Sequence, residues 1–182
     1  GAYVRRLREI KATGQATEET SFYEPLVTLL NDVGASLKPA TLTFLTPSEK
    51  GVGLPDGGVF DKGSNTKLSL IEIKGTSDDT WKTAKGEQVT KYWNHTPLVL
   101  VSNYRDFVVV GEDELTGGSR IEESYSLAEN EEQFWLEPIP QVEKRHEQAF
   151  ADFIRSFLTR RSSIRAPEDL AHHLARYARE AR

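Results

Sequence analysis

The sequence contains neither cysteine nor methionine. Without thiols the chain can form no disulfide framework and no thiolate zinc site, so oxygen or imidazole must hold any bound metal. No stretch approaches the ~20 consecutive apolar residues that span a bilayer, and no leader of charged and then apolar residues begins the chain. We therefore expect a soluble, cytoplasmic protein. The missing methionine and the start at Gly1-Ala2 predict a processed chain or a piece of a longer polypeptide.

Two common nucleotide-binding motifs are also absent. The sequence contains no P-loop, and Gly51-Val52-Gly53 is not a dinucleotide fingerprint because the third glycine is misplaced. Nothing in the sequence predicts a site for ATP or S-adenosylmethionine. The histidines have no metal-ligand spacing among themselves, and we interpret them as structural; they are His95, His146, His172 and His173.

Charge is unevenly distributed along the chain, whose net charge is −5. Residues 1–143 contain 14 Lys/Arg against 23 Asp/Glu, whereas residues 144–182 contain 9 against 5. Residues 1–143 are too acidic to hold a polyanion by counterion release alone. Binding of nucleic acid would therefore depend on a metal, on local patches or on a partner domain.

Hydrophobic periodicity predicts a first half that begins with helices and continues with strands. A chain of 182 residues is of ordinary size for one core. We expect the second and third strands to form an antiparallel hairpin. The predicted elements are helices at Tyr3–Ala12 and from a Thr20 or Ser21 cap to Gly34, then strands at Thr41–Thr46, Asp56–Phe60 and Leu68–Lys74.

The second half alternates between the two kinds of element and ends in helices. The predicted elements are a helix from an Asp78-Asp79-Thr80 cap to about His95, strands at Leu98–Val101, Phe107–Val110 and Glu123–Leu127, and helices at Val142–Leu158 and after Pro167. This order indicates an α/β fold with a mixed central sheet flanked by helices. We expect residues 1–140 to form the core and residues 141–182 to be a helical extension that connects to a further domain.

The most informative residues are Asp56, Glu72 and Lys74, which occupy two neighbouring predicted strands. Because side chains alternate along a strand, Glu72 and Lys74 share a face and converge beside Asp56, whereas Ile71 and Ile73 point the other way. Charges in so apolar a strand are costly to bury without partners. A Mg²⁺ ion held by the two carboxylates would remove that cost and would accept phosphate oxygens as further ligands. Lys74 could then orient or help deprotonate a water, or neutralise developing charge.

The pair Pro55-Asp56 and the later Glu72-x-Lys74, with 16 residues from aspartate to glutamate, resemble the motif of the PD-(D/E)XK nuclease superfamily. The predicted order of helix, three strands, helix and strand is also similar to that fold. The resemblance implies a restriction-endonuclease-like core and a metal-dependent DNA endonuclease. It implies that Asp56, Glu72 and the carbonyl of Ile73 bind Mg²⁺, for which Mn²⁺ would substitute, and that Lys74 is the catalytic lysine.

Two further features are similar to this superfamily. Gln88 and Tyr92 are four residues apart on a predicted helix and so share a face, which resembles the QxxxY element of one branch. The resemblance makes both of them candidate catalytic residues. Members also often place a glutamate near the metal on the helix before the sheet, and Glu24 is the candidate metal ligand here.

A narrower resemblance covers roughly residues 15–137. The segments Thr20–Tyr23, Gly53–Gly58 and Leu100–Phe107 are similar to the amino-terminal nuclease region of type IIG and type ISP-like restriction enzymes, in which nuclease and adenine-specific DNA methyltransferase share one polypeptide. This implies a role in restriction-modification or phage defence, with DNA as substrate. It also implies a covalently linked methyltransferase and specificity domain, with dimerisation as one route to double-strand cleavage. No membrane partner is expected.

Other interpretations stay open at this point. The sequence Pro-Asp-Gly-Gly favours a turn in any protein, so Asp56 could simply begin a turn. Glu72 and Lys74 could form a solvated cross-strand ion pair, and Gln88 and Tyr92 could be an ordinary helix surface. The chain could accordingly be an inactive nuclease-like module that binds DNA or a partner within a larger DNA-processing protein. It could also be an unrelated α/β protein that binds no metal.

Overall fold

A six-stranded mixed sheet forms the centre of the protein. The computed structural model describes residues 1–17, 19–46, 54–113 and 115–160. The strands are β1 (Thr41–Leu45), β2 (Gly57–Asp61), β3 (Lys67–Ile73), β4 (Val99–Ser102), β5 (Asp106–Glu112) and β6 (Ser119–Ser126). They lie side by side in sequence order, and only β3 and β4 run parallel to each other. The predicted hairpin of the second and third strands is confirmed as the antiparallel β2–β3 pair.

The parallel pair needs a long crossover, because a tight turn can join only antiparallel strands. Two short helices supply it, α3 (Thr80–Ala84) and α4 (Glu87–Trp93). They pack on β3, β4 and β5. Their side chains Val89, Tyr92 and Trp93 pack there against aliphatic residues of the strands. These strand residues are Leu70, Val99, Val101, Val108 and Val110.

The opposite face of the sheet carries the larger core. It is covered by α1 (Ala2–Ala12), α2 (Tyr23–Ala35) and α6 (Ile139–Thr159). Aromatic rings dominate this core, with Phe107 and Phe150 only 4.9 Å apart between ring centroids. Gly34 allows α2 to approach β1, because a Cβ there would lie 2.2 Å from Thr41 Oγ1. The predicted α/β class, a mixed sheet flanked by helices, is confirmed.

The structure corrects several predicted boundaries. The single helix expected up to about His95 is two helices, because Gly86 has an extended backbone and begins α4. The predicted cap by Thr20 or Ser21 is wrong: residues Thr20–Phe22 form a 3₁₀ turn, and no side chain caps α2. The predicted cap by Asp79 is confirmed, since its carboxylate accepts a hydrogen bond from Lys82 N at 3.0 Å.

The carboxyl-terminal part contains one helix that the periodicity did not predict. This helix, α5 (Glu131–Leu136), is capped by the Asn130 side chain, which accepts from Gln133 N. The predicted helix after Pro167 lies outside the described residues. Within the described ranges no helix has both the length and the apolarity needed to cross a bilayer.

The expected division at residue 140 stays a prediction. The described part of the second segment is α6, which packs against α2. Its buried aromatic face, Phe150, Phe153 and Phe157, belongs to the same core as the amino-terminal helix. Helix α6 and the amino-terminal helices α1 and α2 therefore share the larger of the two cores.

Candidate active site

Asp56 lies immediately before β2, at the end of the sheet. The peptide of Asp56 continues the pairing with β1, since Thr46 N donates to Asp56 O at 2.7 Å. Gly57 makes this approach possible, because a Cβ there would lie 2.2 Å from Phe44 O. A larger residue would force the two backbones apart. The Pro-Asp-Gly-Gly sequence thus begins a strand and does not form a turn. A glycine is needed at position 57 because the backbone of β1 leaves no room for a Cβ.

Two hydrogen bonds fix the carboxylate of Asp56, which is 7% exposed. Tyr23 OH donates to Asp56 Oδ1 at 2.8 Å, and Ile73 N donates to Asp56 Oδ2 at 2.7 Å. The first donor comes from α2 and the second from β3. The side chain is therefore oriented from two separate elements.

Glu72 and Lys74 lie on the same side of β3, beside α4. Lys74 Nζ donates to Glu72 Oε1 at 2.6 Å. The glutamate is 2% exposed, whereas the lysine side chain is 30% exposed. Ile71 and Ile73 belong to the core on the opposite face. The pair is thus a buried carboxylate with a lysine that reaches solvent, not a solvated pair on an open edge.

The electrostatics of this pair follow from its burial. Burial raises the pKa of Glu72; the hydrogen bond and charge of Lys74, and a weaker hydrogen bond from Tyr92, oppose the rise, and the charge of Asp56 adds to it. For Lys74, burial alone would lower the pKa. The hydrogen bond to Glu72 and the charges of Glu72, Asp56 and Glu19 outweigh burial and raise that pKa. Lys74 is therefore a cation at neutral pH.

The second oxygen of Glu72 is the clearest sign that a cation fits here. Glu72 Oε2 is buried and accepts no hydrogen bond of normal geometry from the described residues. Buried polar atoms are normally satisfied, so such an atom calls for an explanation. An oxygen-binding cation would supply it, because carboxylates and carbonyls are the ligands that Mg²⁺ takes.

The peptide of Ile73 is also well placed. Lys74 N donates to Ser102 O of β4 at 2.9 Å. Because N–H and C=O point in opposite directions across a trans peptide, the carbonyl of Ile73 points away from β4, toward the side where Asp56 lies. The described residues contain no group of three or more His, Cys, Asp or Glu side chains that could hold a metal. The groups here that could hold a hydrated Mg²⁺ are the two carboxylates of Asp56 and Glu72 and this carbonyl, with water or phosphate in the remaining positions.

Gln88 and Tyr92 lie together on α4, as their spacing predicted. Gln88 Nε2 donates to Tyr92 OH at 2.5 Å. Burial raises the pKa of Tyr92 to about 12; the hydrogen bond from Gln88 opposes the rise, and the charges of Glu72 and Asp56 add to it. The tyrosine hydroxyl therefore lies within electrostatic reach of both carboxylates and stays protonated.

Glu24 does not join these groups. Its carboxylate is on the exposed surface between α1 and α2, where Oε2 accepts from Arg6 Nε at 3.2 Å and Oε1 accepts from Thr28. The side chain of Glu24 is 60% exposed. This arrangement does not support the predicted role of Glu24 as a metal ligand.

Two residues near the site escaped the sequence analysis, Tyr23 and Glu19. Tyr23 could have been found from helical phase, because it lies three residues before Leu26, on the buried stripe of α2, and Glu24 does not. Glu19 has no comparable signal, since it lies just before the 3₁₀ turn that precedes α2. Its charge acts on Lys74 and Tyr23, so it is a third carboxylate in the neighbourhood.

Comparison with known proteins supports the fold. No protein-family model matches the chain, and no curated protein matches it. Among solved structures, the DrdV–DNA complex determined by cryo-EM matches 99% of this chain with a TM-score of 0.59 and 17% identity. The type IIG restriction endonuclease BpuSI matches 76% of this chain and 17% of its own, with 11% identity and a TM-score of 0.49, too low for argument.

The fold, a mixed sheet flanked by helices on both faces, is thus similar to part of the DrdV protein in its complex with DNA. The chain spans 16% of the DrdV chain that it matches.

Proposed function

We propose that this chain is a Mg²⁺-dependent DNA endonuclease domain of the PD-(D/E)XK kind, part of a restriction-modification or phage-defence enzyme. The observation that carries the proposal is the buried Glu72, which is paired with Lys74 through one oxygen, while its other oxygen is buried without a hydrogen bond of normal geometry from the described residues and has only a weak interaction with the Tyr92 hydroxyl beside it. A structural ion pair would have both oxygens satisfied. A metal-binding carboxylate has a vacant lone pair directed at the site.

The ligands of the metal would be Asp56, Glu72 and the Ile73 carbonyl, with Mn²⁺ able to replace Mg²⁺. When bound, such an ion polarises the phosphate and lowers the pKa of water. Lys74 is a cation held by Glu72, and its exposed side reaches the solvent where a phosphodiester would lie. Its role is therefore to stabilise the negative charge that develops on the phosphate oxygens.

The remaining residues position these groups. Tyr23 and the Ile73 amide orient Asp56 from two elements. Gln88 donates to Tyr92 and so holds its hydroxyl beside Glu72. Orientation of the ligand side chains by such partners is a general requirement of metal sites. Gln88 and Tyr92 are therefore positioning residues.

Much of the affinity for DNA would come from outside this chain. The first 143 residues carry nine more acidic than basic side chains, which disfavours binding through the backbone phosphates alone. The DrdV protein that the fold matches is about six times longer, since this chain spans 16% of it. A linked methyltransferase and specificity domain would supply the DNA contacts, and dimerisation would allow both strands to be cut.

The test is cleavage of plasmid and single-stranded DNA with Mg²⁺, with Mn²⁺ and with chelator. Asp56→Ala and Lys74→Ala are compared with the wild type. Matched controls of the same residue types are Asp152→Ala and Lys144→Ala, both exposed on α6. We expect metal-dependent cutting that the two site variants lose and the two controls keep.

An inert wild type leads to calorimetric titration with MgCl₂. Binding that Asp56→Ala abolishes would support a metal site that needs the missing domains for cleavage. If the wild type neither cuts DNA nor binds Mg²⁺, the proposal is wrong, and an inactive interaction module takes its place.

A further inference from the structure

Two stacked aromatic rings, one exposed and one half-buried, lie on the sheet close to the candidate active site. Phe44 of β1 and Phe60 of β2 stack with centroids 5.0 Å apart and an interplanar angle of 5°. Phe44 is 46% exposed, and so is its strand neighbour Leu42, at 45%. Large apolar side chains grouped on a surface commonly mark a binding site.

These rings are on the same face of the sheet as Glu72. Cross-strand neighbours share a face, and the register pairs Phe44 with Gly58 and Gly58 with Leu70. Leu70 and Glu72 are two residues apart on β3 and so point the same way. The helices α3 and α4 pack on β3, β4 and β5 of this face, whereas the β1–β2 side remains exposed at Phe44.

The rings also lie toward the active-site end of the hairpin. A Cβ at Gly58 would meet the far ring atoms of Phe60, at 3.1 and 3.5 Å. The ring of Phe60 therefore lies along its own strand over Gly58, two residues from Asp56. That separation is about 7 Å of strand, a length comparable to one nucleotide.

An apolar surface offers a way to bind DNA that does not depend on positive charge, which the acidic body of the chain lacks. Contacts with phosphate would be weak here, whereas stacking of a base on an aromatic ring needs no positive charge and tolerates any sequence. We propose that Phe44 and Phe60 form a stacking surface for an unpaired nucleobase of the DNA strand whose phosphate occupies the candidate site. The proposal rests on the proposed function and adds to it a preference for locally unpaired DNA.

The test is titration of the full 182-residue chain with a single-stranded oligonucleotide that contains 2-aminopurine, a base whose fluorescence is quenched by stacking. The titration is done in chelator and in Ca²⁺. We expect Phe44→Leu to weaken binding about 5- to 150-fold, the range for one base–aromatic contact, and to abolish the quenching. Phe44→Trp should keep both the affinity and the quenching, because it keeps an aromatic ring at this position.

Leu42→Ala is the matched control, since Leu42 has the same exposure on the same strand face but no ring. A stacking surface tolerates this change. A surface for docking another protein or domain would instead tolerate Phe44→Leu, which keeps apolar bulk. Circular dichroism and thermal unfolding establish that each variant is folded. The same titration is repeated with a duplex of the same sequence. It shows whether the protein stacks only a base that is already unpaired or also extrudes a base from the duplex.

The outcomes separate this proposal from the nuclease assignment. If the wild type cuts DNA but Phe44→Leu binds and quenches like the wild type, stacking is refuted and the nuclease stands. If DNA is not cut and Mg²⁺ does not bind, but quenching depends on the ring at position 44, stacking stands and the nuclease fails. A wild type that binds no oligonucleotide in either condition refutes the stacking surface, as does equal loss of binding in Phe44→Leu and Leu42→Ala.

Discussion

Replacing Tyr23 by phenylalanine removes one hydroxyl from the site and leaves the ring in place. That hydroxyl is the donor to Asp56 Oδ1 at 2.8 Å. Burial, and after it the hydrogen bond to Asp56, raises the pKa of Tyr23, so the hydroxyl stays protonated over the accessible pH range. Tyr23→Phe therefore deletes a permanent donor to a buried carboxylate.

Tyr3 offers a close control for the size of the effect. Tyr3 and Tyr23 are both 8% exposed, and Tyr3 OH donates to a neutral acceptor, Tyr104 O, at 3.0 Å. A hydrogen bond to a charged group contributes about 1.5–3 kcal/mol and one between neutral groups about 0.5–1.5 kcal/mol. We therefore expect Tyr23→Phe to lower the free energy of unfolding by about 1 kcal/mol more than Tyr3→Phe does.

The two variants should differ even more in activity. Loss of a residue that orients a metal ligand typically costs about 10- to 100-fold in metal affinity or rate. We expect this loss in Tyr23→Phe and none in Tyr3→Phe. Urea unfolding, followed by fluorescence of the three tryptophans, and DNA cleavage give the two readouts. Equal effects of the two substitutions in both assays would refute the view that Tyr23 positions Asp56.

Three further predictions concern the metal, pH and packing. Saturating MgCl₂, at about 100 times its Kd, should stabilise the wild type by about 2.7 kcal/mol in thermal unfolding, and Glu72→Gln should lose this gain; a gain kept in the variant would exclude Glu72 as a ligand. Burial, and then the charge of Arg145, lowers the pKa of His146, so the unfolded state binds the proton more readily, and the free energy of unfolding should fall as pH drops below about 6.5. His146→Gln should flatten that slope in urea titrations at several pH values, and an unchanged slope would point to other groups. Gly57→Ala should destabilise by about 1–3 kcal/mol through overpacking, because the added Cβ meets a β1 carbonyl 2.2 Å away; urea unfolding equal to that of the wild type would contradict this.

The sequence predicted the sheet well because periodicity of two reports burial on each face directly. The hairpin that carries Asp56 and Glu72, and the face shared by Glu72 and Lys74, follow from that alternation alone. Gln88 and Tyr92 were singled out by their resemblance to the QxxxY element, and their spacing of four on a helix predicts that they share a face. To predict the contact between these two side chains, it is enough to know that they lie on a helix.

The differences between the predictions and the structure have another origin, since they depend on partners distant in sequence. Glu24 and Tyr23 are adjacent, and only the packing of α2 on the sheet determines that the tyrosine meets Asp56 while the glutamate meets Arg6. Gly86 divides one predicted helix in two, although a single glycine in a helical pattern costs only about 1 kcal/mol. The division follows the crossover from β3 to β4, which no local pattern contains.

The energetics of Glu72 connect the fold to the function. A carboxylate that is 2% exposed, with one oxygen on Lys74 and no hydrogen bond of normal geometry from the described residues to the other, costs free energy that an aliphatic residue would not. The core around it, with Leu70 and Val101 on the same face, would pack an apolar side chain at position 72 without difficulty. The fold alone therefore gives no reason for a charge at this position. A bound cation would supply one, because it would satisfy the second oxygen and turn a local destabilisation into binding energy.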